Sequence, residues 1–133
     1  MRIFKRSIIL MVIAAPLSAE TPMTAEAFDL YTRGKTVFYS SQGQRYGAEK
    51  YFDRRRVRWS DFSDQCQEGH WYADGTEICF VYDANPSQPQ CWHFFLDDDG
   101  LTAKYSGEGS QTVLHEVQNT ANKMQCFGPE IGV

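Results

Sequence analysis

Two short patterns in this chain come close to known catalytic or metal-binding motifs, and each fails at a required position. The pair His115-Glu116 begins the H-E-x-x-H pattern of zinc proteases, but Asn119 stands where the second histidine is needed. The acidic run at residues 97–100 resembles a calcium loop, but Phe95 and Ser106 then fall at positions that require oxygen-rich ligands. The sequence contains no nucleophile elbow, phosphate loop or dinucleotide fingerprint. It therefore predicts no catalytic, cofactor-binding or metal-binding residue, and no cofactor.

The four cysteines offer a different chemistry. Cys66, Cys79, Cys91 and Cys126 are an even set, which in an oxidising compartment predicts two disulfides. Their spacings of 13, 12 and 35 residues lack the short ligand pairs of structural zinc sites, and no C-x-x-C motif is present. Four cysteines allow three pairings. A bridge between Cys79 and Cys91 is sterically possible across neighbouring strands and would leave Cys66 to join Cys126, but the sequence leaves all three pairings open.

The first nineteen residues predict a secretory signal peptide. Three basic residues among the first six precede an apolar run over residues 8–15, and small residues follow up to Ala19. The apolar run is much shorter than the ~20 residues that cross a bilayer. We therefore expect residues 1–19 to be removed and residues 20–133 to form a single bacterial domain, periplasmic or secreted, without an integral membrane span.

The charge of the exported chain argues against nucleic acid as a partner. Removing the leader takes three of the 13 basic residues and no acid, so 10 Lys and Arg face 17 Asp and Glu, a net charge of −7. Nucleic-acid binding normally shows a basic footprint. The one basic cluster, Arg54 to Arg56 with Arg58, is interpreted as a solvated turn and strand face, with an anionic partner as the alternative.

One helix and a series of short strands are predicted. Thr24 is a suitable N-cap, Met23 and Phe28 have the spacing of a hydrophobic staple, and Gly34 can end the helix, which indicates a helix over residues 24–33. From Lys35 onward the pattern alternates and turn signals recur, which predicts an antiparallel meander of seven or eight strands, as a curled open sheet or a small barrel. The expected strands are Thr36 to Ser41, Gln44 to Phe52, Arg56 to Phe62, Gly69 to Ala73, Thr76 to Tyr82, Gln90 to Leu96, Leu101 to Ser106 and Thr112 to Gln118.

Two Asp-Gly pairs predict the register of two hairpins. Asp74-Gly75 and Asp99-Gly100 fit the central positions of two-residue turns, where positive φ is required. The resulting partners are Trp71 with Ile78, Tyr72 with Glu77, His70 with Cys79, Leu96 with Ala103, and Phe94 with Tyr105.

The same register separates a core face from a mixed outer face. The core face should carry Trp71, Ile78, Phe80, Trp92, Phe94 and Leu96. The outer face should carry His70, Tyr72, Glu77, His93, Phe95 and the Cys79–Cys91 bridge. Because this face is an unusual mixture of rings, histidines and an acid, His70, Tyr72 and His93 are the candidate ligand-contacting residues.

Several strand segments resemble a family of small exported bacterial proteins described as a domain of unknown function. The resemblance spans most of the exported chain and implies a periplasmic, β-rich, disulfide-containing domain without an assigned catalytic residue. The segments that carry it are Gly34-Lys35-Thr36-Val37, Arg56-Val57-Arg58-Trp59, Gly69-His70-Trp71-Tyr72, Ile78-Cys79-Phe80-Val81-Tyr82 and Cys91-Trp92.

These features predict a noncatalytic module that binds a protein partner or a small ligand in the cell envelope. Two alternatives stay open. An inhibitor of a secreted hydrolase would use the loop from Asp83 to Gln90, where Pro86 and Pro89 restrict the chain. A small enzyme acting on a glycan would need a cleft with two suitably spaced acids.

Overall fold

The computed structural model describes residues 11–15, 20–63, 65–109, 111–118 and 123–126. Most of the predicted leader, residues 1–10 and 16–19, lies outside these ranges. Within the described ranges, no helix has the length and apolar composition needed to cross a bilayer. In chain order the elements are α1 (Ala25–Thr32), β1 (Thr36–Ser41), β2 (Gln44–Tyr51), a 3-10 turn (Asp53–Arg55), β3 (Arg56–Ser60), β4 (Gln67–Asp74), β5 (Glu77–Tyr82), β6 (Gln90–Asp97), β7 (Gly100–Tyr105) and β8 (Val113–Val117).

The eight strands form a closed antiparallel barrel. Each strand pairs with the next, and β8 returns to pair with β1, where Tyr39 lies opposite Glu116. Of the two predicted forms, the small barrel is therefore confirmed, together with one α-helix in the described ranges. Closure pairs both edges of the sheet and leaves no free edge strand. With eight strands, the interior is just wide enough to be filled by side chains or to hold one small ligand.

Helix α1 covers one end of the barrel, as its sequence signals predict. The Thr24 hydroxyl accepts a hydrogen bond from the Ala27 N–H at 3.1 Å, which caps the helix. Gly34 has φ +80° and its N–H donates to the Tyr51 carbonyl, so the chain turns directly into the barrel wall. Phe28 is fully buried inside the barrel. We call this end, which also carries the connections at residues 52–55, 75–76 and 98–99, the closed end.

The first Asp-Gly hairpin has a different register from the predicted one. Asp74 pairs with Glu77, so the central residues are Gly75 and Thr76, and each predicted partner is displaced by two residues. Trp71 lies opposite Phe80, for example. Gly75 has φ +58°, whereas Thr76 does not have a positive φ. A turn that needs positive φ only at its first central position takes glycine there, and Asp74 is then free to remain in the strand.

The second hairpin is displaced by two residues in the opposite direction. Asp97 pairs with Gly100, and Asp98 and Asp99 are the central residues, so the predicted partners are again wrong. The Asp97 carboxylate accepts a hydrogen bond from the Asp99 N–H at 2.8 Å, which stabilises a turn of this kind. Gly100 supplies the positive φ, +109°, after the central pair rather than within it.

The predicted core face is largely correct, because a displacement of two residues preserves the side on which each side chain lies. Trp71, Ile78, Phe80, Trp92 and Phe94 are all buried. The one exception is the residue nearest the closed end of β6: Leu96 is 47 % exposed. The strand reaches the rim of the barrel there, where no further layer of side chains covers it.

Of the three pairings that the sequence left open, the structure has Cys79 with Cys91 and Cys66 with Cys126. Cys79 and Cys91 are partners in the β5–β6 ladder, with Cα atoms 4.0 Å apart. Cys66, before β4, joins Cys126 and holds residues 123–126 against the outside of the barrel. Ser60 strengthens this attachment, because its hydroxyl donates to the Gln125 carbonyl.

A candidate binding cavity inside the barrel

A cavity of about 360 Å³ occupies the half of the barrel that lies away from α1. Ligand pockets typically measure about 300–1,000 Å³, so its size is suited to one small molecule. It reaches solvent at the end that carries residues 42–43, 61–63, 65–66, 83–89, 106–109 and 111–112, which we call the open end. The residues that line it are Tyr39, Tyr46, Glu49, Tyr51, Trp59, Asp61, Gln67, Phe80, Tyr82, Gln90, Trp92, Phe94, Ala103 and Leu114.

Local irregularities in β1 and β2 shape this cavity. Tyr39 pairs with Gly47 but Ser40 pairs with Arg45, so Tyr46 is an extra residue in the ladder. Such a bulge redirects a side chain, and Tyr46 lines the cavity. Gly47 allows the Trp59 ring to lie against β2, since a Cβ atom at position 47 would be 2.2 Å from that ring.

Glu49 is the most unusual residue of the cavity. It is 2 % exposed, and its carboxyl oxygens accept hydrogen bonds from the Tyr82 hydroxyl at 3.1 and 3.3 Å. Burial raises the pKa of Glu49 well above its ordinary value; the bond from Tyr82 opposes the rise, and the charge of nearby Glu68 adds to it. The lining set contains a second acid, Asp61 near the open end, and contains no Lys, Arg or His.

Tyrosine hydroxyls supply further polar groups of the interior, beside the amides of Gln67 and Gln90. The hydroxyls of Tyr39 and Tyr51 lie 2.9 Å apart, so one donates to the other and one O–H proton is left to offer to a guest. Burial raises the pKa of Tyr39, Tyr51 and Tyr82 above the ordinary range of phenols. These residues are therefore neutral hydrogen-bonding groups, not anions, at physiological pH.

Aromatic rings form the apolar walls of the cavity. Phe80 and Phe94 pack together with centroids 6.1 Å apart, and Tyr46 lies 5.8 Å from Trp59 near the open end. Most of the remaining lining residues are polar or carry a hydroxyl, so ring surfaces and hydrogen-bonding groups share the wall about equally. The arrangement can enclose an apolar body and orient one polar group toward Glu49.

The residues that the sequence proposed as a ligand surface lie elsewhere. His70, Tyr72 and His93 are on the outer face of the barrel and do not line the cavity. Strand β5 separates His70 from His93, and the His93 Nε2 atom lies 3.2 Å from the Thr76 hydroxyl. The structure therefore does not bring these three side chains together around one concave site.

The other residues singled out from the sequence are also on the outside. The loop from Asp83 to Gln90 is exposed along its whole length, beside the open end. Arg56 pairs with Asp83 at 3.1 Å, and Arg58 pairs with Glu68. Arg55 lies with its guanidinium 4.4 Å from the centre of the Trp71 ring, at the closed end.

One group of possible metal ligands occurs in the described part of the chain, and it cannot act as a metal site as it stands. Glu77, Cys79 and Cys91 have ligand atoms within 4.8 Å of one another. Both sulfurs belong to the Cys79–Cys91 disulfide, so neither is available as a thiolate. Glu77 alone remains, which is too few ligands for a protein metal site.

The motifs in the sequence do not point to Glu49, because this residue belongs to none of them and was not paired with another acid. A weaker signal was present: Glu49 and Tyr51 are two residues apart in a predicted strand, which places the carboxyl on the same face as a large ring. Because acids are seldom fully buried without a partner, a carboxyl on this face indicates either an exposed position or a binding role inside the barrel.

No family model, no curated protein and no solved structure matches this chain. The resemblance to small exported bacterial proteins therefore stays a prediction, and the cavity must be interpreted from its own chemistry.

Proposed function

We propose that this protein is a noncatalytic binding module of the bacterial cell envelope that holds a small molecule inside its barrel. The observation that carries the proposal is the cavity of about 360 Å³, which has ring walls and the buried carboxyl of Glu49. A barrel evolved only for stability would fill this space with side chains, because empty interior volume lowers the free energy of unfolding.

Two further features support this role. The two disulfides are compatible with an oxidising compartment, in agreement with the proposed export by a signal peptide. The closed end is packed around Phe28, so the open end gives the cavity its access to solvent. A guest would enter at the open end, where Asp61 and Gln90 line the cavity.

The test measures binding of the neutral dye N-phenyl-1-naphthylamine, which brightens in apolar surroundings. We expect saturable binding with a Kd on the order of micromolar. Two of the three tryptophans, Trp59 and Trp92, line the cavity, so their emission should be quenched in parallel with the rise in dye emission.

A pair of variants on β7 locates the binding site. Ala103 lines the cavity, and Ala103→Phe should fill it and weaken dye binding at least tenfold. Thr102→Phe adds the same ring to the neighbouring residue, which faces outward beside His115, and should leave dye binding unchanged. Ala103→Leu provides a smaller filling change if the phenylalanine variant does not fold. Equal binding by the folded variants would place the dye outside the barrel and contradict the proposal.

A further inference from the structure

The charges around the cavity are strongly one-sided. Its lining carries the carboxyls of Glu49 and Asp61 and no basic side chain. The ion pairs Arg33–Asp29, Arg56–Asp83, Arg58–Glu68 and Lys104–Glu20 do not involve Glu49. Glu49 is thus a buried acid that no cation of the described chain accompanies.

A buried carboxyl of this kind is costly unless something accompanies it. An ionised carboxylate in an apolar interior needs a counter-charge and several hydrogen bonds. Tyr82 supplies one donor, whereas a carboxylate can accept about four hydrogen bonds. In the free protein both Glu49 oxygens accept from the Tyr82 hydroxyl, but no counter-charge is present, and burial raises the pKa of the carboxyl so that the protonated form is favoured. A guest that carries both positive charge and N–H groups would stabilise the ionised form.

The ring walls beside Glu49 favour the same kind of guest. Trp59 is the ladder partner of Glu49 across β2 and β3, so the two side chains leave the wall as neighbours on the same face. Trp92 and Phe94 line the same cavity from β6. The faces of aromatic rings attract cations, and tryptophan does so most strongly.

From these observations we infer that the guest is a small organic ammonium ion whose N–H groups bond to the Glu49 carboxylate and whose apolar body lies among Trp59, Trp92 and Phe94. This inference rests on the proposed binding function and adds the chemical class of the ligand. It also excludes a class, because an anionic guest such as a fatty acid would place its carboxylate beside Glu49 in a lining that contains no Lys, Arg or His.

The test compares three competitors that share one phenyl ring and a similar short chain. They are 2-phenylethylammonium, 2-phenylethanol and 3-phenylpropanoate, each used to displace N-phenyl-1-naphthylamine. Charge-assisted hydrogen bonds are roughly twice as strong as neutral ones. We expect the ammonium ion to displace the dye at a concentration about tenfold lower than the alcohol, and the carboxylate to be the weakest.

Two isosteric substitutions assign the preference to one carboxyl. Glu49→Gln should make the ammonium ion and the alcohol equally effective while dye binding persists. Glu68→Gln changes the net charge equally, but Glu68 lies on the exposed outer face of β4, and that variant should keep the preference. Thermal unfolding of both variants confirms that they are folded.

Proton release gives a second test, because no proton would be released on binding if Glu49 had only a structural role. Because the ammonium ion favours the ionised carboxylate, its binding should expel a proton from Glu49, and its affinity should rise with pH until Glu49 is ionised in the free protein. The other groups around Glu49 are the phenols of Tyr39, Tyr51 and Tyr82, Asp61 at the open end and Glu68 on β4. The raised pKa values of the three phenols keep them neutral over this range.

The outcomes separate the two proposals. Dye binding inside the barrel without an advantage for the ammonium ion, or an advantage that survives in Glu49→Gln, overturns the ammonium assignment and leaves small-molecule binding intact. Failure of the dye and all three competitors to bind removes the proposed function itself.

Discussion

At the closed end of the barrel Phe28 fills the interior, whereas at the open end a cavity of about 360 Å³ surrounds Glu49. The closed end is dense: the Phe28 ring lies 4.5 Å from Phe94 and 5.1 Å from Trp71, centre to centre. The open end has rings of the same kinds, but they line a space instead of filling one. The difference shows that aromatic content alone does not determine whether a barrel is closed by packing.

The acids at the two ends also differ in how many neighbouring elements donate hydrogen bonds to them. At the closed end, the partly buried Glu116 accepts hydrogen bonds from the Tyr31 hydroxyl and the Leu101 N–H, so it is held by neighbours from two elements. At the open end, Glu49 has hydrogen bonds from Tyr82 alone among the described residues. We therefore expect substitutions at the closed end to change mainly stability, and substitutions around Glu49 to change mainly binding and the pH dependence of stability.

The largest effect should come from removing the side chain that fills the closed end. Phe28→Ala deletes a fully buried ring and should lower the free energy of unfolding by about 3–5 kcal/mol. Leu30→Ala is the matched control on the same helix, because Leu30 is 86 % exposed, and its effect should be within about 0.5 kcal/mol of zero. Chemical denaturation measures both values. Comparable losses from the two variants would show that α1 does not close the barrel as described.

The next largest loss of stability should come from removing the disulfide that joins β5 to β6. Replacing Cys79 and Cys91 by alanine removes a bridge between residues 12 apart, and the chain-entropy model gives a loss of about 3 kcal/mol. The interior should keep its shape because the bridge lies on the outer face. Denaturation midpoints should therefore fall while the Kd for N-phenyl-1-naphthylamine stays constant in the folded protein. A large rise in that Kd at low temperature, where the variant is folded, would show that the disulfide also determines the shape of the cavity.

The closed end and the strand pattern were accessible from sequence because their signals are local. Thr24, Phe28 and Gly34 each have a backbone or packing role that their residue type reveals. The hairpin registers were not accessible to the same degree, because an Asp-Gly pair can occupy more than one position in a turn. Asp74 stays in its strand while Gly75 opens the turn, whereas Gly100 follows a turn closed by Asp97.

The cavity could not be predicted because it depends on closure of the sheet and on what remains unfilled. Tyr46 lines it through a bulge that leaves no alternation signal, and the space beside Glu49 arises from eight strands together. Alternation did place Trp92 and Phe94 inside, and it placed His70 and His93 outside. The alternation pattern contains no information on whether the interior is completely filled by side chains.

The effect of Glu49→Gln on the free energy of unfolding should depend on pH. The pKa of Glu49 is raised in the folded protein, so its neutral form favours folding below the ordinary value of 4.5, and this contribution is lost as pH rises through the folded pKa. Glutamine cannot ionise and still offers an oxygen to Tyr82. Urea midpoints over a pH series should show the variant gaining on the unmodified protein as pH increases. A flat difference across the series would show that the Glu49 carboxyl is well solvated.

The smallest effect concerns Tyr31, whose hydroxyl donates to Glu116 at 2.7 Å and joins α1 to β8. Burial first, then the bond to Glu116 and its charge, raise the pKa of Tyr31 from 10 to about 12. Tyr31→Phe should cost about 1 kcal/mol of stability at neutral pH. Because the pKa is raised, that contribution is complete below pH 10 and disappears as pH approaches about 12. Denaturation of the two proteins at several alkaline pH values should show their midpoints converge, and Glu116→Gln should lower the Tyr31 pKa in an ultraviolet titration. A constant difference across this range would mean that the hydroxyl contributes through packing and not through its bond to Glu116.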